Sequence, residues 1–249
     1  MSVNPYRITA LALAVTATSL TIAACGSGAT THEQHSFGFG GAGLVIDDTS
    51  SDLQVIPGNG PDIEVQRWLT GTAAKPGHAT WTLSGNTLRL SIDCAGLVFS
   101  CGSRFEVAVP RAVAVTINSG NNTDTVSGLS SPVTVIGGQG GVNVSGVSGV
   151  LRVSTGSGSV SATAIRSAAV TVSTDQGGVG LSFAAAPRSV EVRCSSGSAT
   201  VRLPAAGHQY RVLVSSETGS ASSKVKNFPA SASVVRVSSG SGGAAVLPA

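Results

Sequence analysis

The chain has 249 residues, of which 11% are charged and 4% aromatic, with 32 glycines, a single methionine and a formal net charge of +3. Globular domains average about 25% charged residues and about 7% glycine. The mean hydropathy of +0.29 excludes a highly charged disordered chain, and the scarcity of Glu, Lys, Gln and Met excludes a helical bundle or a coiled coil.

Arg7 is the only charge among the first 32 residues, and residues 8–24 are apolar or small. A run of this length is at the lower limit for a transmembrane helix, about 17 residues. It also fits a secretory signal, with a basic start, an apolar centre and small residues at the cleavage point. The ending Ile22-Ala23-Ala24-Cys25-Gly26 decides between them, because it resembles the bacterial lipobox, whose Cys is lipidated and becomes the mature N-terminus. We expect a signal peptide over 1–24 and lipidation at Cys25. The acyl chains would hold the protein at the extracytoplasmic face of the cell membrane, each buried CH₂ contributing about 0.8 kcal/mol. Residues 25–36, rich in Gly, Ser and Thr, read as a flexible tether.

Residues 37–110 form an N-terminal β region. Alternating segments such as Leu53-Gln-Val-Ile, Ile63-Glu-Val-Gln-Arg-Trp68, Leu88-Arg-Leu-Ser-Ile92 and Phe105-Glu-Val-Ala-Val109 are separated by Gly/Pro turns. This region holds Phe37, Phe39, Trp68, Trp81, Phe99 and Phe105, bulky enough to cap one end of a β-stack and cover its edges. Cys94 and Cys101 flank a six-residue loop; export permits a disulfide between them, whereas two Cys with no nearby His make a poor metal site.

From Val115 the chain repeats. Segments begin at Val115, Val133, Leu151, Val170, Val190, Val212 and Val235. The third position is always β-branched, from Ile117 to Val237. The eighth is Gly140, Gly158, Gly177, Gly197, Gly219 and Gly242, with Asn122 departing in the first segment. The tenth is Val142, Val160, Val179, Ala199, Ala221 and Ala244, with Asp124 departing. Offsets of two put each pair on one face of a strand, so each segment is a strand, a glycine turn, a strand and a turn. One such segment cannot bury its own apolar face, but stacked segments build a continuous core. A β-sandwich of hairpins is the alternative, yet it does not require the same residues in register so many times. The expected fold is all-β: a single β-solenoid of stacked Gly/Val/Ser repeats over 111–249, with the aromatic-richer region at one end. Stacking in chain order places Cys194 beside Gly137, Thr155, Thr174 and Ser216, as a buried and unreactive thiol; a reactive or intermolecular Cys is the alternative.

The lipobox, Trp81-Thr-Leu-Ser-Gly-Asn-Thr-Leu-Arg-Leu90, the paired-Cys loop and Phe105-Glu-Val-Ala-Val-Pro110 running into the repeats together resemble the adhesin-like β-strand-repeat lipoproteins of Gram-positive bacteria, chiefly actinobacteria. The resemblance spans about 37–249. It implies an exported β-solenoid of unknown function, with no catalytic or binding residues to carry over.

Chemistry-bearing motifs are scarce. Ser223-Lys-Val-Lys226 matches S-x-x-K but lacks its companion motifs. Gly137-Gly-Gln-Gly-Gly141 lacks the Asp ligands of a calcium turn. Asp47, Asp48 and Asp52 read as a solvated turn in preference to a cation site. His32 and His35 fall in the tether, and His78 and His208 are isolated. No cofactor or metal is expected. Asp175 and Glu217, both at position six, would lie two rungs apart in chain-order stacking, about 9.6 Å, the upper end of the window for inverting glycosidases.

Residues 25–150 carry five basic and nine acidic side chains, and residues 151–249 carry nine basic and three acidic. Nucleic acid is not an expected partner, because neither basic clusters nor aromatic platforms occur. The composite expectation is a non-catalytic, adhesin-like binding module, with a cell-envelope polymer or a membrane protein as partner. The alternatives are an accessory lipoprotein of an envelope-stress signalling system and a polysaccharide-active solenoid enzyme.

Overall fold

A computed structural model describes residues 20–22, 30–48, 50–94 and 100–249. The N-terminal strands are β1 (Leu20–Ile22), β2 (Thr30–Phe37), β3 (Gly43–Asp48), β4 (Asp52–Gly58), β5 (Ile63–Gly71), β6 (Ala79–Ser84), β7 (Thr87–Ile92) and β8 (Cys101–Pro110). The repeats supply β9 (Ala114–Ser119), β10 (Asp124–Ser127), β11 (Val133–Gly137), β12 (Val142–Ser145), β13 (Leu151–Thr155), β14 (Val160–Ile165), β15 (Ala169–Gln176) and β16 (Val179–Phe183). They continue with β17 (Ser189–Ser196), β18 (Ala199–Leu203), β19 (Arg211–Ser216), β20 (Ala221–Ser223), β21 (Val234–Ser241) and β22 (Ala244–Pro248). No α-helix occurs among the described residues, and none there is long and apolar enough to cross a membrane.

The strands form two sheets. One runs β1-β2-β5-β8-β4-β10-β12-β14-β16-β18-β22-β20, the other β19-β21-β17-β15-β13-β11-β9-β3-β7-β6. In the repeats every neighbour is parallel, and each rung gives one strand to each sheet. The repeat positions align as their spacing predicts. Val115, Val133, Leu151, Val170 and Val190 form one buried ladder, and Val142, Val160, Val179 and Ala199 face it from the other sheet. The eighth-position glycines form a column at one corner. A Cβ on Gly158 would run into the carbonyl of Gly140, and one on Gly197 into that of Gly177. The rungs stack so closely at this corner that only glycine fits.

Two features depart from stacking in chain order. β21 inserts between β17 and β19, so Val235 neighbours Val190 and the Val212 rung lies outermost. The displaced rung is the least apolar, with Ala221 and Ser223 exposed at its inward positions, and it suits the open end. Likewise β3 and β4 sit between the β7/β8 rung and the β9/β10 rung. Each outer rung is therefore an excursion held by chain at both ends. Detaching it frees a closed loop, which gains less entropy than a free tail. The edge of β19 is partly covered: Asn227 Oδ1 accepts the Val212 N–H at 2.9 Å, and the Phe228 N–H donates to the Tyr210 carbonyl.

A further difference from the sequence expectation concerns the tether. Thr30–Phe37, assigned by composition to the flexible segment 25–36, is β2, paired residue for residue with β5 from Thr31↔Leu69 to Phe37↔Ile63. β5 is satisfied by β8 on one side only, and β2 covers the other. Glu33 completes the fit through an ion pair with Arg67. β1, inside the expected signal peptide, pairs antiparallel with β2. With the β6/β7 hairpin, these antiparallel strands end the parallel stack, and Phe37, Phe39 and Trp81 pack against the core there.

The corner opposite the glycine column gives a direct test of backbone strain. Gly128 and Gly146 hold it at φ +67° and +63°, and Ala164 occupies the same place in the next rung at φ +51°. An L-residue in this left-handed region costs about 1 kcal/mol. Ala164→Gly is expected to raise the unfolding free energy by about 0.5–1 kcal/mol, the reverse of the usual penalty for glycine in a strand. A denaturation midpoint that falls would show the corner to be unstrained.

Candidate binding surfaces

The residues singled out in the sequence are not gathered into one site. Cys25 and most of the expected signal peptide lie outside the described residues. Cys94 and Cys101 are joined, with Cα atoms 6.2 Å apart. Cys194 is 4% exposed and lies between Thr174 and Ser239, not beside Ser216, because β21 is its neighbour. In this ladder hydroxyls satisfy turn carbonyls: Thr174 Oγ1 donates to Gly158 O and Ser239 Oγ to Gly197 O. Burial pushes the Cys194 thiol up to about 11, so it stays protonated and a poor nucleophile at neutral pH.

Asp175 and Glu217 are separated by the β17 and β21 rungs. Three rung steps make about 14 Å, beyond the roughly 6.5–9.5 Å that an inverting pair uses. The inserted rung removes the geometric basis for that pairing. Asp47, Asp48 and Asp52 also part company. Asp47 faces outward to the Asn118 amide at 2.8 Å and to Arg89. Asp48 turns inward, 1% exposed, and accepts from the Ser51 hydroxyl at 2.6 Å and from the Ser50 and Ser51 backbone N–H groups. Asp52 is exposed and accepts from the Thr123 N–H. No group of three metal-ligating side chains occurs among the described residues. His32 and His35, placed in the tether by sequence, are in β2: His32 stacks on Trp68 at 4.8 Å between centroids, and His35 lies 5.9 Å from Trp81. His78 Nδ1 is 2.7 Å from the Asp93 carbonyl.

Sequence reasoning missed the buried environment of Asp124. Its one signal was the break in the tenth-position ladder, where Asp124 stands in register with Leu53 and Val142. It is 1% exposed, its Oδ2 has no hydrogen-bond partner, and burial pushes its pKa up to about 6.

What the arrangement offers is extended surface. On the outside of one sheet Gln54, Thr125, Asn143, Ser161 and Thr200 form a straight row of polar side chains, interrupted only by Gly180. On the other, Thr116, Thr134, Arg152, Thr171, Glu191 and Arg236 form a row in which threonines give way to charged side chains. At the N-terminal end His32, Trp68 and Arg104 stand side by side across three strands, with the Arg104 guanidinium 5.0 Å from the Trp68 ring and the Arg67 guanidinium 3.9 Å from Trp81. These stacked pairs cover one another's faces and brace the cap.

Rung order converts the uneven charge of the sequence into an axial polarity. The acidic half sits at the N-terminal end and the basic half at the other. Glu191 pairs with Arg193 and Arg236. Arg152, Arg166, Arg188, Arg202, Arg211, Lys224 and Lys226 are all exposed, and none is in an ion pair among the described residues.

Two facing parallel sheets, a glycine-packed corner and a branched apolar core define a β-solenoid of short rungs with long polar faces. The chain belongs to the Toastrack DUF4097 family, a domain of unknown function whose model matches residues 106–246, more than half of the chain. No curated protein matches it significantly. Among solved structures it is similar to a candidate adhesin from Bacteroides fragilis, at 14% identity over 88% of this chain and 97% of that one, with a TM-score of 0.44. It is also similar to a candidate cell adhesion protein from Clostridium sporogenes (10% identity, 88% and 100% covered, TM-score 0.40) and to a candidate lipid binding protein from Parabacteroides distasonis (11%, 87% and 94%, TM-score 0.38).

Proposed function

We propose that the protein is a membrane-anchored, non-catalytic binding module that engages anionic material of the cell envelope. The axial charge polarity carries this reading: a rigid stack presents Arg188, Arg202, Arg211, Lys224 and Lys226, exposed and outside any ion pair among the described residues, towards one end, and such a field concentrates anionic partners. The lipobox-like ending at Cys25 supports the anchoring part. Cys25 precedes β2 by only a few residues, so a lipid there holds the N-terminal end of the stack at the membrane. The nine parallel rungs from β7 to β19 then let the basic end reach about 40 Å away.

Two measurements test this reading. Labelled palmitate is expected to enter the wild type and not Cys25→Ala; equal labelling would remove the anchor. Binding of the mature chain to purified cell envelope is expected to weaken strongly between about 0.05 and 0.5 M salt, as the screening length shortens. Salt-independent binding would exclude the electrostatic mode.

A further inference from the structure

We propose that the outermost rung carries a dedicated site for a phosphate-bearing ligand, in the cavity between the β18–β19 connection and the segment that follows β20. The inference rests on the binding-module reading and names the place and the chemistry within it. The cavity, about 400 Å³ in volume, is lined by Lys224 and Lys226 from one segment and by Ala205, His208 and Gln209 from the other, with Phe228 at its side. No carboxylate lines it.

The local chain dictates this arrangement. Val225 is 6% exposed and belongs to the core cluster, so its alternation partners Lys224 and Lys226 point outward. The backbone of Lys224 is fixed by its N–H bond to the Val246 carbonyl. Lys226 Nζ lies 5.2 Å from the Phe228 ring, which holds that ammonium over an apolar surface. Opposite them, Tyr210 is 1% exposed and bonds through its hydroxyl to the Pro204 carbonyl at 2.8 Å, which pins the connection carrying His208 and Gln209. Two ammonium groups on rigidly held chain thus share one cavity without a counter-charge, at the basic end of the molecule.

The donors decide the ligand class. A carboxylate is best recognised by the planar fork of an arginine, and none lines the cavity. Ammonium groups act as point charges and suit a tetrahedral oxyanion presenting several oxygens. Gln209 and His208 add hydrogen-bonding side chains, and the volume exceeds what a lone carboxylate fills. The axis separates this end from the lipidated end, so a phosphate-bearing envelope chain reaches it more readily than a headgroup of the anchoring bilayer.

The test uses the full chain in detergent, with short-chain inorganic polyphosphate as one probe and phosphatidylglycerol-containing vesicles as the other, at low salt. The wild type is expected to bind polyphosphate, and Lys224→Ala/Lys226→Ala to bind at least about tenfold more weakly. Arg152→Ala/Arg166→Ala removes the same charge from mid-stack and is expected to weaken binding less than about threefold. Equal weakening by the two pairs, or no binding to either probe, overturns the site. Loss in the lysine pair seen with vesicles alone keeps the phosphate site but assigns its ligand to lipid headgroups, overturning the polymer source. If purified envelope binds wild type and lysine variant alike, the cavity is not the site while the binding module stands; if it does not bind the wild type, the binding reading itself falls.

Discussion

Val172→Asp is expected to lower the melting temperature by at least about 10 °C or to prevent folding, while Thr171→Asp, one residue away, changes it little. Val172 is fully buried and stands between Val153 and Val192 in the middle of the stack. A carboxylate there has no partner, and removing an uncompensated charge or an unbonded carboxylic acid from water costs about 3–5 kcal/mol. For a domain of this size each kcal/mol shifts the midpoint by roughly 2–4 °C. In a solenoid the damage is not confined to one rung, because each rung is stabilised through its interfaces with both neighbours. Thr171 faces the other way and lies between Arg152 and Glu191. An Asp there gains from one neighbour what it loses to the other, so the change stays within about 0.5 kcal/mol. Equal melting of the two variants by circular dichroism would place the register one residue out.

The same alternation explains why so much of the fold is legible in the sequence. A strand's side-chain period is fixed at two, and a solenoid repeats one rung, so register errors would have broken the columns at Val133, Leu151 and Val170. The glycine column is legible for a steric reason, since each carbonyl occupies the space of the next Cβ. The order of the last two rungs is not legible, because Val212 and Val235 satisfy the ladder beside Val190 equally well. The choice rests on how poorly Ala221 and Ser223 fill an interior, a property of the whole rung rather than of its first positions. β2 is hidden for a related reason: its binding is mostly backbone pairing to an edge that exists only once β5 and β8 have met. The distal cavity is hidden too, because Ser223-Lys-Val-Lys226 has no meaning until the β18–β19 connection closes over it. Sequence alone places its lysines in a motif; the structure gives them a common space.

The protein is expected to be more stable in mild acid than at neutral pH because of Asp124, and Asp124→Asn is expected to remove most of that dependence. Its carboxyl occupies a rung position filled by Val in the next three rungs, 1% exposed, with Oδ2 unpartnered. Burial is the largest cause that pushes its pKa from 3.8 up to about 6; the Ser119 hydrogen bond opposes this, and the charges of Asp48 and Asp52 add to it. A folded pKa above the unfolded value means that the folded state binds the extra proton more tightly. The resulting stabilisation is complete below about pH 3.8 and is lost as pH rises through about 6. From pH 5 to 7.5 this one group should cost roughly 1–2 kcal/mol of unfolding free energy. Asp48, which burial also raises, contributes in the same direction. Asn cannot ionise and keeps an oxygen for the Ser119 hydroxyl, so Asp124→Asn should exceed the wild type at pH 7.5 by up to about 3 kcal/mol, the full difference between the two pKa values. At pH 4 the two should nearly coincide. Urea unfolding of both proteins between pH 4 and 8 reads this out, and parallel curves would show that Asp124 is ionised and satisfied in the fold at neutral pH.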